Sequence, residues 1–149
     1  MDSFSKKFDI IWADLDPNDH MRHTAYNDYA AQVRVSFFEE KAMPLDKLKT
    51  MGVGPILFRE ETLFFKEIRM SETIRVEFQV GQTRKDGSKW RFVQNVFNEQ
   101  EELAAIITVE GAWLDLNKRK VTVPPAEIAK SLITAPRTED FKWIPDKAT

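Results

Sequence analysis

The chain contains no cysteine in its 149 residues. That excludes disulfides, thiolate metal sites and a cysteine nucleophile, and it fits a reducing compartment. A positive surplus is also missing. With 22 Lys and Arg against 24 Asp and Glu, the formal net charge is −2, which argues against nucleic acid as the main partner. No apolar run approaches the length of a membrane span, and the opening MDSFSKKFD has no apolar core of signal-peptide length. A soluble, cytoplasmic protein with no membrane partner is therefore expected. Glycine is scarce, at 5 residues. The pair in Gly52-Val53-Gly54-Pro55 neither completes a dinucleotide fingerprint nor follows a strand, so it reads as a bend. Serine-hydrolase chemistry lacks its G-x-S-x-G elbow.

What is present is ordinary for a globular chain: 42% hydrophobic and 31% charged residues, enough for one domain over residues 1–149 with its own core. Chemistry concentrates in the stretch from Trp12 to Tyr29. Both histidines of the chain, His20 and His23, stand there with Asp14, Asp16, Asn18 and Asp19. Pro17 disfavours helical backbone at Asp16, so Asp16 should end a strand or open a loop. Asn18-Asp19 is turn chemistry. Thr24 is a suitable helix N-cap, and Tyr26, Tyr29, Ala30, Val33 and Phe37 then recur at helical spacing up to about Ala42. Asp16 and His20 thus fall beside the free N–H groups that open a long helix, which can polarise a carbonyl. The plain alternative is a solvent-facing turn aspartate with surface histidines.

A metal is not expected. Read as a calcium loop from Asp14, the window has Asp19 at the glycine position and Ala25 at the bidentate acid position. His20, His23 and an aspartate are usable zinc ligands, but no H-E-x-x-H helix carries them.

Along the rest of the chain, residues 8–13 read as a first strand and residues 44–51 as a short helix. Period-two patterns then follow at 56–68, 73–80 and 90–97, with Asp86-Gly87 as a hairpin turn. Residues 103–116 form the most continuous apolar strand and belong centrally in the sheet. A helix follows Pro124-Pro125 to about Ile133, and the tail carries Phe141 and Trp143. Strand, long helix, then a meander gives an α+β fold: a curled antiparallel sheet of about five strands around one helix. An exposed sheet edge favours pairing between chains.

The run Asp16-Pro17-Asn18-Asp19-His20-Met21-Arg22-His23-Thr24-Ala25-Tyr26, in that strand order, resembles the hotdog-fold thioesterases of the 4-hydroxybenzoyl-CoA and acyl-carrier group. Asp16, His20 and Tyr26 match that family's D-x-x-G-H-x-x-N-x-x-Y. Asp16, Asn18 and His20 match the D-x-N-x-H of its acyl-carrier branch. The resemblance covers residues 8–124, leaving residues 125–149 as a C-terminal helix and tail. It implies a hotdog fold and a homodimer or homotetramer with the site between subunits. It also implies hydrolysis of an acyl-CoA or acyl-carrier-protein thioester, with coenzyme A or phosphopantetheine as part of the substrate and no metal or redox cofactor. Asp16 would be the nucleophile or general base, the backbone N–H near His23 the carbonyl-polarising group, and Asn18 and His20 their polar partners. Two departures stand out: Asp19 replaces the family's glycine, and His23 replaces an asparagine found in many members. Arg84, Lys85, Lys89 and Arg91 flank the Asp86-Gly87 turn and read either as a solvated hairpin or as a patch for the coenzyme's phosphates. A non-catalytic acyl-CoA-binding hotdog protein and a hotdog hydratase or dehydratase are the alternative functions.

Overall fold

A computed structural model describes residues 2–147. The apolar stripe of the long helix needs a covering surface, and the alternating strands supply it. Helix α1 (His23–Glu40) buries Ala25, Tyr26, Ala30, Val33, Phe37 and Phe38 in the hollow of a curled sheet. Its strands run β1 (Ser5–Asp9), β2 (Val53–Phe64), β3 (Thr73–Glu77), β4 (Gln79–Thr83), β5 (Lys89–Phe97), β6 (Leu103–Asp115), β7 (Lys120–Thr122) and β8 (Arg137–Trp143). Two short helices, α2 (Leu45–Thr50) and α3 (Ala126–Ile133), complete the chain. Across the sheet the order is β1, β3, β5, β6, β2, all antiparallel, with β4 continuing β3 along β5.

The alternation expected over residues 73–80 holds, with Ile74, Val76, Phe78 and Val80 all fully buried. Phe78 stacks on Phe37 of α1, ring centres 4.2 Å apart and planes at 23°. Sheet and helix are joined there by two of the largest side chains in the core. β6 is central as expected, pairing with β2, β5 and β7.

Among the described residues the sheet has eight strands rather than about five. The run over 73–80 breaks at Phe78, whose amide turns away to the Phe4 carbonyl at 2.9 Å. The tail forms β8, which pairs in parallel with β4. Its sequence RTEDFKW carries too little alternation to announce a strand. The first strand lies at Ser5–Asp9 instead of residues 8–13, and Trp12–Asp14 form a single 3-10 turn. Ile11 and Trp12 have no sheet face to cover them and stay exposed, Trp12 at 79%. At the expected bend only Gly52 turns, with φ 76°; Val53 already belongs to β2. Among the described residues no helix is long and apolar enough to cross a membrane.

One glycine is required by contact. A Cβ on Gly111 of β6 would lie 2.2 Å from the Ile56 carbonyl oxygen and 2.6 Å from the Trp90 ring. Gly111→Ala is therefore expected to cost about 3 kcal/mol, as overpacking against a fixed backbone does. Urea unfolding measures it, and an unchanged midpoint would show that the ring and strand yield freely.

Candidate active site

Asp16 sits on a loop tied to itself and to its neighbours. Its amide donates to the His20 carbonyl at 2.9 Å, and its carbonyl accepts from the Asp19 amide at 3.1 Å. This tight turn puts Asp19 at φ 62°, the left-handed conformation that glycine takes freely and aspartate tolerates better than most residues. The departure from the family's glycine thus keeps the turn. The Met21 amide donates to the Ile68 carbonyl at 2.7 Å, which fastens the loop to the segment after β2.

The turn aims the Asp16 carboxylate inward, leaving its side chain 20% exposed. Oδ1 accepts from the Asn18 amide at 2.8 Å and the His20 amide at 3.4 Å. Oδ2 lies 3.0 Å from His20 Nδ1, which is also 3.3 Å from the Met21 carbonyl. With two acceptors at Nδ1, that nitrogen carries a proton.

The helix beyond begins two residues earlier than expected. Arg22, not Thr24, is the N-cap, and no side chain caps the first turn. Thr24 is drawn away by a hydrogen bond from the Arg22 guanidinium. No acid stands in that first turn either, so its positive end is uncompensated by the helix's own side chains. Asp14 fixes this entry from behind. It is 8% exposed; its carbonyl accepts from the Arg22 amide at 2.7 Å, and its Oδ2 accepts from the Tyr29 hydroxyl. Sequence reasoning missed this anchoring role, because Tyr29 lies 15 positions away and only the folded helix brings the two together.

Carboxylate and helix start face one cavity of about 380 Å³, lined by Asp16, His20, Met21, His23 and Tyr26 on one side and Phe64, Phe65, Lys66 and Glu67 on the other. Three of the four expected site residues, Asp16, His20 and His23, line it. Asn18 is exposed and contributes through its main-chain N–H. The wall at Phe64–Glu67 arrives from the end of β2, some 40 residues further on. Its only sequence signal was a cluster of aromatics. Among the described residues no group of three or more His, Asp or Glu is placed to hold a metal.

The basic residues of the hairpin are not brought here. Arg84, Lys85, Lys89 and Arg91 lie in the turn before β5 and at its opposite end: Lys89 is seven positions from Val96, the level of the cavity, or about 23 Å at the rise of a strand. Locally, Arg84 Nε donates to the Pro145 carbonyl at 3.0 Å, Arg91 pairs with Glu110 at 3.0 Å, and Lys85 lies over the Trp143 ring at 5.8 Å.

Both tyrosines of the chain belong to this region. Tyr26 packs edge-to-face on Phe64 at 5.0 Å. Burial, then the charges of Glu72, Asp16 and Glu67, push its phenol up to about 12. Burial and the bond to Asp14 raise Tyr29 as well. Folded protein thus holds these protons more tightly than the unfolded chain, whose phenols titrate near 10. The stability this contributes is full below pH 10 and is lost as pH climbs through the folded values. Absorbance at 295 nm should show no phenolate near pH 10 in native protein and a rise only above it. A normal titration of either tyrosine would contradict the packing described.

A family model described as the thioesterase-like superfamily matches residues 10–132. No curated protein sequence matches the chain. Among solved structures, the hypothetical protein SAV2348 from Staphylococcus aureus, in complex with CoA, superposes with TM-score 0.83 at 15% identity, covering 91% of this chain and 87% of that one. Slr0204, a 1,4-dihydroxy-2-naphthoyl-CoA thioesterase from Synechocystis, gives TM-score 0.79 at 14% identity over 89% and 96% of the two chains. A DHNA-CoA thioesterase from Staphylococcus aureus gives 0.76 at 16% identity over 83% and 81%. These likenesses establish the hotdog fold.

Proposed function

The chain belongs to the thioesterase-like superfamily, and on that premise we propose that it hydrolyses an acyl-CoA thioester to the free acid and the thiol. The observation that carries this reading is Asp16, held by three hydrogen-bond donors in a cavity that the uncapped start of α1 also faces. In the proposed reaction Asp16 takes a proton from water as the oxygen adds to the thioester carbon. The first-turn amides of α1 receive the negative charge that develops on the carbonyl oxygen, and collapse expels the thiolate. Each carboxylate oxygen keeps lone-pair capacity beyond the hydrogen bonds it accepts, so the carboxylate can still take the proton. His20 orients it, and the Tyr26 phenol, neutral at working pH, offers a further donor at the cavity wall. That two of the similar structures are CoA thioesterases and another holds CoA supports coenzyme A over a carrier protein.

We also propose a homodimer. Among the described residues β2 pairs only with β6, so its outer edge is an open row of N–H and C=O groups. Around that edge Phe58, Phe64 and Phe65 are more than half exposed. Pairing of β2 with β2 of a second copy would satisfy the edge, cover these rings and close the cavity. The enzymatic reading is tested by release of free thiol from a panel of short, long and aryl acyl-CoAs. Turnover of at least one is expected. Tight binding without thiol release would instead identify a binding protein.

A further inference from the structure

A second cavity, of about 190 Å³, lies further along the seam between α1 and β2. Its walls are mostly apolar: Val35, Phe38, Leu48, Leu57, Trp90 and Phe92. Two hydrogen-bond donors break that pattern. Arg34, also in the lining, gives Nη1 to the neutral Oε1 of Gln94 at 2.8 Å, and among the described residues no carboxylate pairs with it. Trp90 is 1% exposed and stacks flat on Phe92 at 4.0 Å, yet among the described residues its buried indole N–H has no partner. Burial pulls the Arg34 guanidinium below its usual range, with the charge of Glu60 pulling it back up. A half-buried cation in the lining of an apolar cavity, and a buried indole N–H on another residue of that lining, are costly unless something supplies the missing acceptor.

Position says what that is. The lining residues of both cavities fall on one stripe of α1, from His23 and Tyr26 to Ala31, Arg34, Val35 and Phe38. They also fall on one strand, β2, from Phe64 back to Leu57 and Pro55. Asn27 and Thr62, 3.4 Å apart, mark the seam between them. From Tyr26 to Arg34 the helix rises about 12 Å, the span of roughly ten carbons at about 1.25 Å per bond of an extended chain.

We propose that this second cavity receives the far end of a medium-length acyl group that ends in a carboxylate. Its methylenes would lie along the seam and its terminal oxygens would accept from Arg34 and Trp90. This names the substrate class of the hydrolase proposed above, and it rests on that reading only at the thioester end.

The test compares decanoyl-CoA with the mono-CoA thioester of decanedioic acid, and in parallel the binding of methyl decanoate and of the monomethyl ester of decanedioic acid by calorimetry, since each ester masks the end that the thioester would occupy. Native protein is expected to favour the diacid form by about 10-fold or more in both assays, the size of one charge-assisted hydrogen bond. Arg34→Met should bring both ratios to near unity, and Trp90→Phe, which keeps the stacked ring, should lower them partly. Equal or reversed preference in native protein overturns the proposal. So does an Arg34→Met protein that keeps the preference but loses the dimer, which would assign the guanidinium to contact between copies. Diacid binding that depends on Arg34 without any thiol release sustains this cavity while ending the hydrolase reading. Hydrolysis of both thioesters without preference does the reverse.

Discussion

Asp16→Asn is expected to lower kcat for thioester hydrolysis by about 100-fold or more, the scale for loss of a positioned general base. Affinity for the thioester should hardly change. The substitution is nearly isosteric. The amide oxygen of asparagine can still accept from the Asn18 and His20 amides that now hold Oδ1 at 2.8 and 3.4 Å. His20 Nδ1, now 3.0 Å from Oδ2, would meet an NH2 group instead and turn toward the Met21 carbonyl alone. Fold and turn should therefore survive while the proton acceptor is lost. Steady-state thiol release, with calorimetric binding of the same thioester, separates these effects. A variant with native kcat would remove Asp16 from the chemistry. Equal loss of binding and turnover would assign it to holding the substrate.

Phe58→Glu should act through assembly. The strand register shifts between Leu57 and Arg59, so Phe58 is the extra residue of a β-bulge and is 59% exposed in the single chain. A side chain so open contributes little to the folding of one copy. If β2 pairs across a two-fold axis, however, two introduced charges face each other in a desolvated interface. The dimer dissociation constant should then rise by about 100-fold or more, as for loss of a central interface anchor. Activity should fall at low protein concentration and recover as concentration increases. Sedimentation measures the assembly. An unchanged dimer would place the interface elsewhere, and a variant that unfolds would show that Phe58 already serves the core of one copy.

How far the sequence could be read depended on the range of each contact. Asp16, Asn18 and His20 lie within five positions, and Pro17 and the Asn18-Asp19 turn set their geometry locally, so the carboxylate and its partners were legible. So was the helical stripe ending at Phe37. The opposite wall of the site, Phe64 to Glu67, was not, because an edge strand reaches Tyr26 only through the curl of the whole sheet. The helix cap was missed because Arg22 draws Thr24 away from the role its residue type favours. β8 was missed for a similar reason: its register comes from parallel pairing with β4, not from a pattern of its own. Arg84, Lys85, Lys89 and Arg91 form a conspicuous cluster in sequence, yet the length of β5 carries them away from Asp16.

A structure of the protein with a non-hydrolysable acyl-CoA analogue, its thioester replaced by a ketone of the same length, bears most directly on how carbonyl and carboxylate meet. The analogue's carbonyl oxygen is expected about 2.7–3.1 Å from a first-turn amide of α1, with the carbonyl carbon or a bound water in reach of the Asp16 carboxylate. An analogue seated with its carbonyl away from the start of α1, and with Asp16 touching neither it nor a water beside it, would contradict that arrangement.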